Sequence, residues 1–128
     1  MPEARRILIV DDEESMRLLM RRILEAIPAL EFTLADGSEE GLRLAAGRVY
    51  DLILLDLLMP GIDGIEVLNR MRQSPLNKAT AVIIVSMISD PDTKIVCESL
   101  GVQDYVVKPR NRNALLAAVK GQLGGAAA

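Results

Sequence analysis

The chain has 128 residues, half of them hydrophobic and 26% charged, with a formal net charge of −3. These values fit one soluble domain long enough to build a core without staples, and so weak a charge excludes electrostatic recruitment to nucleic acid or an anionic membrane. A single cysteine excludes a disulfide framework, and the absence of histidine excludes Ser-His-Asp and Cys-His catalysis, histidine proton shuttling and most zinc sites.

Residues 6–10, RILIV, form a short apolar run that ends in Asp11, Asp12, Glu13 and Glu14, and they read as a buried strand. The opening residues MPEARRILIV enter it without a signal-peptide cleavage region, and no apolar run is long enough to span a bilayer, so a cytoplasmic protein is expected. Met16, Leu19, Met20, Ile23, Leu24 and Ile27 recur three and four apart, which predicts an amphipathic helix stopped by Pro28. Leu30, Phe32 and Leu34 alternate with Glu31 and Thr33, as in a second strand near a sheet edge. Asp36-Gly37-Ser38 is a turn, with Ser38 the expected N-cap of a helix carrying Leu42, Ala45 and Ala46.

Residues 52–55, LILL, predict a strand buried on both faces, followed at once by Asp56 and a break at Met59-Pro60-Gly61. Asp63 and Gly64 shape the turn into a helix carrying Ile65, Leu68 and Met71. Residues 81–85, AVIIV, are a fourth strand ending at Ser86, and the helix that follows starts near Asp92, carries Cys97 as a core or semi-buried residue, and closes at Gly101. Residues 104–107, DYVV, are a fifth strand ending at Lys108-Pro109, and a last helix holds Leu115, Leu116, Val119 and Leu123. Residues 1–123 thus read as one domain and residues 124–128 as a low-complexity tail or linker stub.

Strands alternating with helices predict a parallel sheet with helices on both faces and right-handed crossovers. Ligands of such sheets sit at the carboxyl ends of the strands. Asp11 and Asp12 fall at the end of the first strand, Asp56 of the third, Ser86 of the fourth and Lys108 of the fifth. A carboxylate at the mouth of a buried strand must be paired, hold a metal or be used chemically, because burying it alone is too costly. Three carboxylates close together disfavour one another's ionised forms unless a cation is present, and oxygen donors without His or Cys suit Mg²⁺. A metal, a lysine and a hydroxyl around phosphoryl oxygens make a phosphoryl-transfer site, and an Asp carboxylate can itself be the nucleophile. Taken alone, the acids from Asp11 to Glu14 also suit a helix N-terminus.

Asp11-Asp12, the stretch DLLMPGIDG at residues 56–64, Ser86, the stretch GVQDY at residues 101–105 and Lys108-Pro109 resemble, in order and spacing, the receiver domains of two-component response regulators. The resemblance implies an α/β, flavodoxin-like, doubly wound five-stranded parallel sheet of strand order 2-1-3-4-5 with five helices. It also implies that Asp56 accepts a phosphoryl group from the phosphohistidine of a sensor histidine kinase or a histidine phosphotransfer protein. Mg²⁺ would sit on Asp12, Asp56 and the Leu58 carbonyl, with Asp11 acting mainly through water. Lys108 would pair with the phosphoryl oxygens, Ser86 would hydrogen-bond them and shift, and Tyr105 would turn inward as Ser86 moves. The Lys108-Pro109 bond would be cis. The face built by the fourth helix, fifth strand and fifth helix would then change its affinity for a downstream target protein or a C-terminal output domain. A homodimer through the last helix and fifth strand is compatible with the family.

Three departures qualify the resemblance. Met87 follows Ser86 where relatives usually carry a small residue, and Arg110 stands where an apolar residue is common. Leu58 and Ile88 are both apolar, and apolar groups position water poorly, so slow autodephosphorylation is expected. Two other readings compete: a pseudo-receiver that binds partners without phosphorylation, and an enzyme with an Asp nucleophile such as a haloacid-dehalogenase-type phosphatase. The second needs an Asp-x-Asp motif, and Asp56-Leu57-Leu58 lacks its second carboxylate. The expectation is a switch that catalyses only its own phosphorylation and dephosphorylation, not a turnover enzyme.

Overall fold

The apolar runs become strands β1 (Arg5–Val10), β2 (Leu30–Ala35), β3 (Leu52–Leu55), β4 (Ala81–Ser86) and β5 (Asp104–Val107). The helices between and after them are α1 (Glu14–Leu24), α2 (Ser38–Gly47), α3 (Gly64–Gln73), α4 (Pro91–Ser99) and α5 (Arg112–Leu123). The computed structural model describes residues 4–108 and 112–123. The expected cis bond at Pro109, the Arg110 departure and the tail at residues 124–128 lie outside the described residues. All neighbouring strands pair in parallel, in the order β2-β1-β3-β4-β5. This is the doubly wound order expected from the resemblance.

The two-residue period of the strands explains why their runs are continuously apolar. Ile7, Ile9, Leu52, Leu54, Ile83 and Val85 face one side, packing on Met20, Ile23 and Leu24 of α1 and Leu115 and Val119 of α5. Leu8, Val10, Ile53, Leu55, Val82 and Ile84 face the other, against Ala45 of α2, Val67, Leu68 and Met71 of α3, and Cys97 of α4. Strand β2 is an edge strand, as its alternation predicts, and its Phe32 and Leu34 are only half-buried.

Local corrections follow from side-chain partners. Helix α1 ends at Leu24 rather than running to Pro28. Residues before a proline are steered out of the helical region, and the N–H of Ile27 closes back on the Leu24 carbonyl at 2.9 Å in a tighter turn. Leu19, counted in the apolar stripe, is exposed. Ser38 is not the N-cap of α2; that position is Gly37. The buried Ser38 hydroxyl instead donates to the Ile62 carbonyl at 2.8 Å, tying α2 to the β3–α3 loop. Asp63 does cap α3, accepting from the Ile65 N–H at 2.7 Å. At Gly64 an added Cβ would meet the Leu57 carbonyl oxygen at 2.7 Å, so the start of α3 presses on the loop behind Asp56. Helix α4 begins at Pro91, capped by Asp90, and Gly101 at φ +80 turns the chain out of it. Among the described residues, no helix is long and apolar enough to cross a membrane.

Candidate functional site

Backbone bonds carry the sheet one residue past its strands and so fix the groups that follow. The Asp11 N–H donates to the Ala35 carbonyl at 3.2 Å, the Asp56 N–H to the Val10 carbonyl at 3.0 Å, and the Lys108 N–H to the Ser86 carbonyl at 2.9 Å. Asp11, Asp56, Ser86 and Lys108 are all buried, while Asp12 is exposed. The Lys108 ammonium donates to Asp11 Oδ2 at 2.6 Å and to Asp56 Oδ2 at 3.1 Å. The remaining oxygens take backbone donors: Glu13 N–H to Asp11 Oδ1 at 2.9 Å and Leu58 N–H to Asp56 Oδ1 at 3.1 Å. Each buried carboxylate is thus held by one ammonium bond and one N–H bond.

Burial pushes the Asp11 carboxyl above its ordinary value, and the Asp56 charge adds to this; the Lys108 bond and the Glu13 N–H pull it back in part. Burial alone pulls Lys108 down, but hydrogen bonds and charge from Asp11 and Asp56 outweigh it and hold the ammonium above its usual range. Lys108 is therefore a fixed positive charge at physiological pH.

Carboxylate oxygens of Asp11, Asp12 and Asp56 lie within 4.8 Å of one another. The donor set is all oxygen, partly water-exposed, and carries more negative charge than the single lysine cancels. That chemistry fits a hard divalent cation that keeps several waters, Mg²⁺ above all.

Among the described residues, neither Ser86 nor Tyr105 hydrogen-bonds the carboxylates, but the two are linked to each other. The Ile88 N–H donates to Ser86 Oγ at 3.2 Å, and the Ile88 carbonyl accepts the Tyr105 hydroxyl at 2.7 Å. The backbone of one residue thus joins the two expected switch residues. Leu58 and Met87, each exposed and apolar, stand beside Asp56 and Ser86 in the chain at the open rim. Sequence reasoning missed Arg17, whose guanidinium donates to the Asp11 carbonyl at 2.7 Å and braces the acidic turn. Its position, on the first turns of a helix that opens with acids, was the only available signal.

A family model for the response regulator receiver domain matches residues 7–120. The phosphate regulon transcriptional regulatory protein PhoB of Rhizobium meliloti is 36% identical over 118 residues, 92% of this chain and 52% of that protein. The response regulator ArlR of Staphylococcus saprophyticus is also 36% identical, over the same shares of the two chains. The chain spans about half the length of these curated relatives. Among solved structures, a CheY-like receiver domain protein from Methanospirillum hungatei is similar with a TM-score of 0.85 and 28% identity, covering 94% of each chain. Response regulator TrrA from Thermotoga maritima, in complex with Mg²⁺-BeF, gives a TM-score of 0.81 at 33% identity, covering 92% of this chain and 98% of that one.

Proposed function

Because the chain belongs to the response regulator receiver domain family, we propose that it is a phosphorylation-dependent signalling switch whose phosphoacceptor is Asp56. The observation that carries this reading is the buried bridge from Lys108 to both Asp11 and Asp56 at the carboxyl ends of the strands. Phosphoryl transfer to an aspartate uses the carboxylate as nucleophile with a fixed cation beside the phosphoryl oxygens, and this cluster supplies both.

In the transfer, an Asp56 oxygen attacks phosphorus and a new P–O bond forms. The P–N bond of the donor's phosphohistidine breaks, and its electron pair stays on the imidazole nitrogen. Lys108 exchanges its bond to Asp56 for one to a phosphoryl oxygen, while its bond to Asp11 keeps it oriented. Asp11, Asp12, Asp56 and the Leu58 carbonyl would hold Mg²⁺, which offsets negative charge on the carboxylates and the incoming phosphoryl group.

The phosphoryl group carries about −1.5 to −2 charges where the free Asp56 carboxylate carried −1, so the site gains negative charge and three new acceptor oxygens. The Ser86 hydroxyl turns to a phosphoryl oxygen and leaves the Ile88 N–H without its acceptor. The Ile88 backbone then moves, and the anchor of the Tyr105 hydroxyl moves with it. Converting a 1:99 population to 99:1 takes about 5.5 kcal/mol of differential interaction, which several charge-assisted bonds together supply. The readout is the α4–β5–α5 face, which engages a downstream target protein or a C-terminal output domain. The donor is a sensor histidine kinase or a histidine phosphotransfer protein, and the setting is the cytoplasm. The protein catalyses only its own phosphorylation and dephosphorylation.

The test is intact mass after incubation with acetyl phosphate and Mg²⁺, wild type beside Asp56→Ala. One added phosphoryl group on wild type alone is expected. No addition, from acetyl phosphate or from a phosphohistidine kinase, overturns the switch in favour of a pseudo-receiver. With the exposed, apolar Leu58 beside the site, the phosphorylated form decays slowly. A short lifetime that Leu58→Asn does not change would contradict this.

A further inference from the structure

The two acids that follow β1 have unequal support. Asp11 is buried, and each of its carboxylate oxygens has a donor. Asp12 is exposed, and among the described residues its carboxylate has no hydrogen-bond or ion-pair partner. Its direction is therefore set by the backbone that carries it. That backbone is held on both sides of Asp11: the N–H donates to the Ala35 carbonyl at 3.2 Å, and the carbonyl accepts from the Arg17 guanidinium at 2.7 Å. The Asp11 carbonyl and the Asp12 N–H belong to one planar peptide unit. The Arg17 bond thus fixes the plane from which Asp12 projects.

Arg17 lies in the first turns of α1. Long side chains on a helix lean back over the turn before them, and this lean brings the guanidinium to the mouth of β1. Arg17 is half-buried, and among the described residues it pairs with no carboxylate. It braces the turn through a neutral carbonyl and leaves the oxygens of Asp11, Asp12 and Asp56 to other partners. A guanidinium bonded to a carboxylate would instead compete with a metal for the same oxygens.

We propose that Arg17 is a positioning residue for the cation site: its bond to the Asp11 carbonyl holds Asp12 toward Asp56 and so raises the affinity of the site for Mg²⁺. This rests on the reading of Asp11, Asp12 and Asp56 as the Mg²⁺ ligands of the switch. Two effects of Arg17 oppose each other. Its positive charge repels a cation, while its bond spares the cation the work of ordering a loose turn. Salt and water screen the charge at the open side of the site, and the ordering is not screened, so geometry wins. Partners that orient a ligand from behind change metal affinity by about ten- to a hundredfold. Acting through one bond, Arg17 belongs at the lower end of that range.

The probe is magnesium chloride alone, titrated by calorimetry into the metal-free protein at constant ionic strength. Wild type, Arg17→Met, Arg17→Lys and Arg72→Met are compared. Arg17→Met keeps a long apolar stem and removes donor and charge, whereas Arg17→Lys keeps both. Arg72→Met is the control for general loosening, since Arg72 bonds the carbonyls of Thr80, Leu100 and Gly101 near the amino ends of β4 and β5. Arg17→Met is expected to raise the Mg²⁺ Kd about tenfold. Arg17→Lys falls between it and wild type, and Arg72→Met keeps the wild-type Kd although it melts earlier. Amide exchange gives a reading that needs no metal: the Glu13 N–H, which rests on Asp11 Oδ1, exchanges faster in metal-free Arg17→Met than in wild type. The sign discriminates, because a guanidinium acting only through its charge would leave Arg17→Met binding Mg²⁺ more tightly. A wild-type or tighter Kd in Arg17→Met, no recovery in Arg17→Lys, unchanged Glu13 exchange, or equal weakening in Arg72→Met overturns the inference and leaves the switch intact. A wild type that takes up no Mg²⁺ overturns the metal reading, and this inference with it.

Discussion

Lys108 is the residue on which the resting site depends. It pairs with two carboxylates that the sheet has already buried, so its removal leaves both without a cationic partner. Breaking a buried pair by deleting one member costs about 3–5 kcal/mol. Lys108→Met is expected to lose stability on that scale in urea unfolding at neutral pH without Mg²⁺. A loss below about 1 kcal/mol, the range of exposed pairs, would mean that water already screens the cluster. Tyr105 makes a second prediction at this scale. Burial pushes its phenol up to about 12, the charges of Cys97, Asp90 and Asp56 push the same way, and Ser86 pulls it back. The fold favours the neutral phenol, so this contribution to stability is whole below the ordinary value of 10.0 and is lost as pH rises from there to about 12. Absorbance at the tyrosinate band should show a late step that Tyr105→Phe removes; a late step that survives this substitution would contradict the half-buried placement of the Tyr105 ring.

At the scale of elements, what was legible in the sequence was what depends on periodicity and chain position. The strand runs, their order of burial and the polar group closing four of the five strands all follow from patterns a few residues long. What was not legible depends on partners far apart in the chain. Ser38 looks like an N-cap because a serine after Asp-Gly usually is one, yet its hydroxyl finds Ile62, a loop away. Asn77, buried between α3 and β4, bonds the Tyr50 N–H and the Ala45 and Arg48 carbonyls, and nothing local marks it. Arg72 likewise pins the end of α3 to the carbonyls of Thr80, Leu100 and Gly101. Gly64 shows how such contacts reach the site. Gly64→Ala would drive a methyl group into the Leu57 backbone, and backbone cannot move aside as a flexible side chain does. The expected cost is about 1–3 kcal/mol, read by chemical denaturation. Phosphorylation of Asp56 should slow as well, since the displaced loop carries the Leu58 carbonyl. Wild-type values for both would show that the loop has room to shift. Helix α4 offers the opposite case. Its Cys97 thiol is fully buried and pushed up by burial, so alkylation in the native protein requires α4 to open. Labelling at pH 8 should be far slower than in the urea-unfolded chain, and equal rates would show a helix detached from the sheet.

For the whole molecule, the site is a local fault in an otherwise consistent fold. Both faces of the sheet are packed, and the parallel pairing was recoverable from the alternation of strands and helices, whereas the strand order came from the resemblance. The carboxyl edge, by contrast, sets three carboxylates against one ammonium and so leaves an excess of negative charge at the end of the core. Like charges held together destabilise the state that holds them, and a cation that binds only the folded chain recovers that loss. Stability should therefore rise with free Mg²⁺ by RT ln(1 + [Mg²⁺]/Kd), about 1.4 kcal/mol at ten times Kd, or about 5 °C in Tm for a chain of this size. Sodium chloride at matched ionic strength should give much less, because screening acts weakly on buried pairs. Neutralising the exposed carboxylate with Asp12→Asn should flatten the Mg²⁺ dependence while leaving the metal-free protein at least as stable, since one repelling charge has gone. The decisive comparison is the slope of Tm against log [Mg²⁺] in the two proteins. Equal slopes would mean that the cation acts elsewhere on the surface, and the carboxylate edge would then be held by Lys108 alone.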